Sequence, residues 1–152
     1  MELTVQDRWD IYELLSRYAV AIDIERDVDD LLAVFTEDGV IDGPAGVFRG
    51  HDEIREWAAR PPTPGLRHTT SNVRITGDSD EAVLTAYFAN VKTDMSNPDN
   101  GLPKSTVHMA GTYRCTARKD DGVWRFSYRL CQVDAMDYFP DVKEKMKRVA
   151  DS

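Results

Sequence analysis

Residues 105–133 read STVHMAGTYRCTARKDDGVWRFSYRLCQV, and this stretch decides the fold. Two β-rich runs, Ser105 to Ala117 and Val123 to Val133, flank Asp121-Gly122. Aspartate-glycine between two such runs is a hairpin signal, because the two central residues of a type I′ turn need positive φ. Along the second run Trp124, Phe126, Tyr128 and Leu130 alternate with Ser127, Arg129 and Cys131, which places Arg129 opposite the large apolar side chains. Upstream, Leu66 to Ile75 and Ala82 to Thr93 have the same β-rich character, and Asn97-Pro98-Asp99-Asn100-Gly101 reads as the loop before the hairpin. The second half of the chain is therefore an antiparallel sheet.

The first sixty residues have a different period. Thr4, Gln6 and Asp7 mark a helix start. Apolar residues then recur at Trp9, Ile11, Tyr12, Leu14, Leu15, Tyr18, Ala19 and Ile22, which predicts one long helix from Thr4 to Ile24 with a broad buried face. Asp27 caps a second short helix carrying Val28, Leu31, Leu32, Val34 and Phe35, which Asp38-Gly39 ends. Val40-Ile41-Asp42 and Val47-Phe48-Arg49 are short strands around Gly43-Pro44. A third helix opens at His51-Asp52-Glu53, runs through Arg60 and stops at Pro61-Pro62. Asp141 to Ala150 reads as a terminal amphipathic helix. Helices first and long strands after define an α+β class rather than a parallel α/β fold. Long curved strands backed by helices enclose a pocket between the two layers.

The chain of 152 residues is expected to form one domain, residues 1–152, around one core. Its 27 acidic and 19 basic residues leave a formal net charge of -8, the wrong sign for nucleic-acid binding. No run approaches the roughly 20 apolar residues of a membrane span. The N-terminus lacks the basic and apolar regions of a secretory signal, so the expected location is cytoplasmic. Cys115 and Cys131 fit no metal spacing and read as reduced core thiols. The three histidines, His51, His68 and His108, include no pair at metal-ligand spacing on one element, so no metal is expected.

Asp23 stands among apolar residues near the end of the first helix. A carboxylate in that setting needs a partner or a task. His68 opens a strand threaded with polar residues and is the natural partner; an Asp–His pair in an apolar cavity is a general base. Tyr18 is either a core aromatic or a hydroxyl donor toward a substrate oxygen. It lies five residues before Asp23, roughly 140° away on an ideal helix, so the two share a pocket only where the helix ends near Asp23. Arg129 is equally a hairpin surface residue or a pocket residue. His108 reads first as an edge-strand residue, with the pocket as the second choice, Asn90 is a candidate polar contact, and His51 is a surface or capping residue.

The order of elements resembles the cone-shaped fold of the nuclear-transport-factor-2-like superfamily, a curved mixed or antiparallel sheet wrapped against N-terminal helices around a pocket. Leu14-Leu15-Ser16-Arg17-Tyr18-Ala19, Asp23, Phe35-Thr36-Glu37-Asp38-Gly39 and Gly50-His51-Asp52-Glu53-Ile54 are similar to the N-terminal half of its SnoaL-like branch. His68-Thr69-Thr70-Ser71-Asn72-Val73-Arg74-Ile75 resembles that branch's histidine strand, and Gly111-Thr112-Tyr113 with Asp121 to Phe126 resembles its terminal hairpin. Scytalone dehydratase, the bile-acid 7α-dehydratases and hexachlorocyclohexane dehydrochlorinase resemble the chain through an aspartate at Asp23 and a histidine at His68. The bile-acid enzymes add a tyrosine at Tyr18, and they and the dehydrochlorinase an arginine placed at Arg129. Scytalone dehydratase has a second histidine on the next strand, which Ala82 to Thr93 lacks. Ketosteroid isomerase shares Tyr18, but its aspartate falls at Gly43, with Asp42 one residue away and so on the opposite face.

The resemblance implies a cofactor-independent lyase of the dehydratase type, with Asp23, His68, Tyr18 and Arg129 as catalytic residues. Asn90 and His108 would be substrate contacts, and the substrate a hydrophobic cyclic or polycyclic small molecule. It leaves open isomerisation or cyclisation on the same scaffold. It also leaves open a non-enzymatic ligand-binding or assembly module like the β-subunit of ring-hydroxylating dioxygenases. A homodimer or homotrimer is expected, with no nucleic acid or membrane partner.

Overall fold

Thr4 opens the first helix as a capping residue. Its hydroxyl accepts from the Asp7 N–H at 3.1 Å, and the Asp7 carboxylate takes the Thr4 N–H at 3.0 Å, the reciprocal bonds of a capping box. A computed structural model describes residues 1–99 and 102–136 of the chain. The stretch Asp141 to Ala150 lies outside the described residues.

Helix α1 spans Val5–Val20 and buries Ile11, Leu14, Leu15 and Tyr18. At about 100° per residue these four form a narrow stripe, and the expected broad face is not used. Trp9 and Tyr12 are 56% and 43% exposed and stack on each other outside, ring centroids 6.0 Å apart. The helix also does not continue to Ile24. At Ala21 it widens into a π-turn, Ala21–Glu25, which stops at Arg26 in the left-handed region with φ 57°.

Asp27 caps α2, Val28–Ala33, by accepting the N–H groups of Asp29 and Asp30. This helix is shorter than expected. The Val34 carbonyl accepts the Phe126 N–H at 2.9 Å, so the chain is captured by the sheet and β1 begins at once, Phe35–Gly43. Asp38-Gly39 is therefore strand, not a helix stop. Strand β2, Gly46–Arg49, returns antiparallel, and α3, Gly50–Ala58, follows. His51 is half-buried, and its Nε2 lies 3.2 Å from the Phe35 carbonyl, tying α3 to β1.

The remaining strands are β3 Leu66–Arg67, β4 Thr70–Gly77, β5 Glu81–Asp99, β6 Leu102–Asp120 and β7 Val123–Met136. They form one sheet in the order β2-β1-β7-β6-β5-β3, with β4 also pairing β5. The β1–β7 pair is parallel and the others antiparallel, so the architecture is α+β with a mixed sheet. Asp121 and Gly122 have φ 52° and 77°, the paired positive values a type I′ turn requires. Strand β5 continues through Asn97-Pro98-Asp99, where a loop was expected.

The core packs Ile11, Leu14 and Leu31 against Phe35, Leu84, Cys115 and Phe126 of the sheet. Two joints fasten the helical layer. The Asp7 carboxylate accepts Trp124 Nε1–H at 2.9 Å and Lys119 Nζ–H at 2.8 Å, pinning the start of α1 to the hairpin. At the other end of α1 the fastening is the Asp23–His68 contact.

Candidate functional site

The π-turn puts Asp23 where it is. A π-turn carries an extra residue per turn and is frequent at functional sites, so residues five apart approach one side instead of lying far around the helix. Tyr18 and Asp23 both line one cavity. On the sheet side, the expected strand through residues 66–75 is broken. It splits into β3 and β4, and His68 and Thr69 fall in the gap. His68 thereby leaves the strand ladder, and its backbone N–H donates to Asp23 Oδ2 at 2.6 Å. Its ring Nδ1 lies 2.7 Å from Asp23 Oδ1. Both oxygens of one carboxylate thus hold one histidine. Neither side chain is much exposed, 14% for His68 and 7% for Asp23. The Tyr18 ring meets the His68 ring edge-on, centroids 5.8 Å apart at 87°.

Arg129 is a correction to the sequence reading of its face. A bulge at Ser127, between the pairs Thr116–Tyr128 and Ala117–Phe126, inserts one residue and reverses the alternation of β7 beyond it. Trp124 and Phe126 point inward before the bulge, and Arg129 points inward after it, at 3% exposure. Its guanidinium lies between two phenol rings, 3.9 Å from the Tyr18 centroid and 4.1 Å from that of Tyr113. Each such contact is worth up to about 2 kcal/mol when desolvated. No carboxylate pairs with it among the described residues, and its Nε–H is buried without a partner. Tyr113 escaped the sequence reading as a site residue, because its alternation with Cys115 and Ala117 signals only a buried face; it also stacks on Phe88 at 4.3 Å.

Asn90 is 2% exposed and lines the cavity, and its Oδ1 has no partner. His108 takes the second of its two sequence readings, a place in the cavity wall. It is the extra residue of a bulge in β6 opposite Asn90–Val91, is 8% exposed, and lines the same cavity. Gly43 and Ile41 line it too, whereas Asp42 takes the Tyr128 hydroxyl at 2.5 Å. Six of the residues singled out from sequence, Tyr18, Asp23, His68, Asn90, His108 and Arg129, converge on one cavity of about 780 Å³, within the roughly 300–1,000 Å³ usual for small-molecule sites. Phe48 and Trp57 stack across its apolar wall.

Burial keeps Tyr18 and Cys131 in the cavity wall, and Cys115 in the core beside it, protonated. Burial raises the Tyr18 phenol above its ordinary range, with Arg129 pulling the other way. Burial pushes the Cys115 thiol up to about 12 and raises Cys131 as well. At neutral pH the phenol is a donor and neither thiol is a thiolate nucleophile. Among the described residues no three His, Cys, Asp or Glu side chains cluster closely enough to hold a metal ion, and no helix is long and apolar enough to cross a membrane.

A family model described as a SnoaL-like domain matches residues 3–130. The chain belongs to the SnoaL-like family. No curated protein sequence matches it. A SnoaL-like chain of this shape resembles a solved protein of unknown function with a cystatin-like fold from Nostoc punctiforme, at 30% identity and TM-score 0.75, over 92% of this chain and 98% of that one. It also resembles a proposed scytalone dehydratase from Novosphingobium aromaticivorans, at 21% identity and TM-score 0.72, over 89% of each chain. A third likeness is to a hexachlorocyclohexane dehydrochlorinase from Novosphingobium barchaimii, at 17% identity and TM-score 0.70, over 90% of this chain and 92% of that one. At those two lower identities the likeness is one of fold. The nuclear-transport-factor-2-like fold that the element order resembles is the fold of this SnoaL-like chain, described as cystatin-like in its solved neighbours.

Proposed function

We propose that the protein is a cofactor-independent lyase that removes a proton from carbon and expels a leaving group from a hydrophobic cyclic or polycyclic molecule. The observation that carries the reading is the 2.7 Å contact between His68 Nδ1 and Asp23 Oδ1 in the wall of a large cavity. With Nδ1–H donated to the carboxylate, Nε2 is the basic atom of the ring and carries no bond among the described residues. His68 Nε2 takes the proton next to an activating group, and Asp23 stabilises the imidazolium that forms. As charge develops on a carbonyl or leaving oxygen, the Tyr18 hydroxyl and the Arg129 guanidinium stabilise it. Asn90 Oδ1 and His108 supply polar contacts to the bound molecule.

Dehydrochlorination and dehydration, the reactions in the names of two structural neighbours, are both eliminations. A filled, dry core between α1 and the sheet would favour a purely structural module. The cavity of about 780 Å³ with two unpartnered buried polar atoms, Asn90 Oδ1 and Arg129 Nε, favours a ligand site. The test is His68→Ala assayed for elimination and hydration on a panel of polycyclic alcohols and halides. A loss of about 10²–10⁴-fold is expected, the usual worth of a positioned base. Full turnover in that variant would end the assignment.

A further inference from the structure

The chain is acidic, with 27 Asp and Glu against 19 Lys and Arg, yet its cavity has the opposite sign. Among the described residues Arg26, Arg60, Arg67, Lys92 and Arg129 line it, against one carboxylate, Asp23. That carboxylate is already held twice by His68. Arg129 is buried in the cavity wall, while Arg26, Arg60 and Arg67 are exposed and form its rim.

The rim arginines are tethered by uncharged groups. Arg26 donates to the carbonyls of Ile22 at 3.1 Å and Arg60 at 3.3 Å. Arg67 donates to its neighbour Leu66 O at 2.7 Å. The Arg60 guanidinium lies over the Phe48 ring, 5.4 Å from its centroid. None of the three has a carboxylate partner among the described residues. Two surface arginines elsewhere do find one: Arg55 pairs with Asp29 at 2.9 Å, and Arg118 with Asp38 and Asp120 at 3.0 and 2.8 Å; what sets Arg26, Arg60 and Arg67 apart is that all three border one cavity. Three positioned guanidinium groups of like charge around one opening repel one another, and an anion bound between them relieves that repulsion. The guanidinium fork matches the oxygens of a carboxylate, sulfonate or phosphate.

We propose that the molecule received by the cavity is an amphipathic organic anion. Its apolar body lies against Ile41, Phe48, Trp57 and Met109, and its acidic head group sits at the rim between Arg26, Arg60 and Arg67. The inference rests on reading the cavity as a substrate site and adds the charge of the substrate to it. The head group is held by the rim guanidinium groups and takes no part in the proton transfer at His68, so its role is affinity and register. The rim field also draws an anion toward a protein that is otherwise negative.

Binding of two fluorescent probes that differ only in the head group tests this on the full chain: 1-pyrenebutyrate and 1-pyrenebutanol. The acid is expected to bind about tenfold or more tightly at low ionic strength, and 0.5 M salt should erase most of that advantage because the rim is exposed. Arg26→Gln, Arg60→Gln and Arg67→Gln together should remove the advantage and leave pyrenebutanol binding unchanged. Each single replacement should remove part of it, which covers the case of a triple variant that does not fold. His68→Ala should keep the full advantage, so a failure of the elimination mechanism does not touch this readout. Equal affinity for the two probes, or no binding of the acid, overturns the inference. So does an advantage that survives the triple replacement and disappears in Arg129→Met, since the anion would then lie deep.

Discussion

Asp23 holds His68 with two different oxygens, and this makes aspartate irreplaceable by its amide. Oδ2 accepts a backbone N–H, a donor that cannot change. In Asp23→Asn the amide oxygen must stay on that N–H, which turns the NH₂ toward Nδ1. Nδ1 then has to accept, and the ring proton moves to Nε2, the atom proposed to act as base. Asp23→Asn is expected to keep the folded structure and lose about 10²–10⁴-fold in turnover, near the loss for His68→Ala. Wild-type rates in the amide variant would exclude the tautomer argument. Arg129 makes the opposite trade. It is a buried cation with an unpartnered Nε–H, so Arg129→Met is expected to hold or raise Tm while turnover falls about 10²-fold or more. A variant that melts much lower and keeps its activity would make Arg129 structural. Asp23 and His68 were visible in the sequence because a carboxylate among apolar neighbours and a histidine at a strand start are anomalies of composition. Tyr113 was not, since an aromatic at an alternating position looks like any core residue.

At the scale of elements, sequence periodicity located the helices and strands but missed the irregularities between them. Nothing in Ala21-Ile22-Asp23-Ile24-Glu25 separates a π-turn from the end of an α-helix, and the group that Asp23 meets there, His68, belongs to a segment 45 residues away. The bulges at His108 and Ser127 likewise arise where long strands must bend against their neighbours. Each reverses which face a residue takes, so alternation set Arg129 opposite Trp124 and Phe126 and left surface or pocket open for it, whereas all three point inward. Local signals that act through the backbone alone were legible. Gly122 at φ 77° should make Gly122→Ala destabilising by about 1 kcal/mol, and Thr4→Ala should lose a cap worth about 0.5–2 kcal/mol. Urea melts of the two variants check both, and a midpoint equal to that of the parent protein would contradict the turn or the cap.

For the whole molecule, ionised aspartates join α1 to the hairpin, through Asp7, and β1 to β6, through Asp38, Arg118 and Asp120. Lys119, with Thr4 and Trp124, holds the Asp7 carboxyl well below the usual range. Thr36 and Arg118 lower Asp38, and Arg118 lowers Asp120. A carboxyl with a depressed folded-state pKa contributes stability that is complete above the unfolded value of about 3.9. That contribution is lost as pH falls through the folded value. Tm should therefore be flat from neutral pH down to about pH 5 and then fall as the medium becomes more acid. Lys119→Met should lower Tm at neutral pH and shrink the acid-side fall. An acid slope unchanged by that replacement would remove Asp7 from the account.

The sequence by itself determined the class of fold, the helix-then-sheet order, the hairpin turn and the identities of the two residues that pair. These follow from backbone preferences and apolar periodicity, which act over a few residues and leave their mark in the local string. Only the tertiary structure decided that Asp23 reaches His68 across 45 residues of chain, that Arg129 lies inside between two tyrosines, and that an acidic chain encloses a cationic cavity. Those outcomes depend on strand register, on bulges and on which loops meet at one opening. They are set by contacts between elements, and no local pattern of residues encodes them.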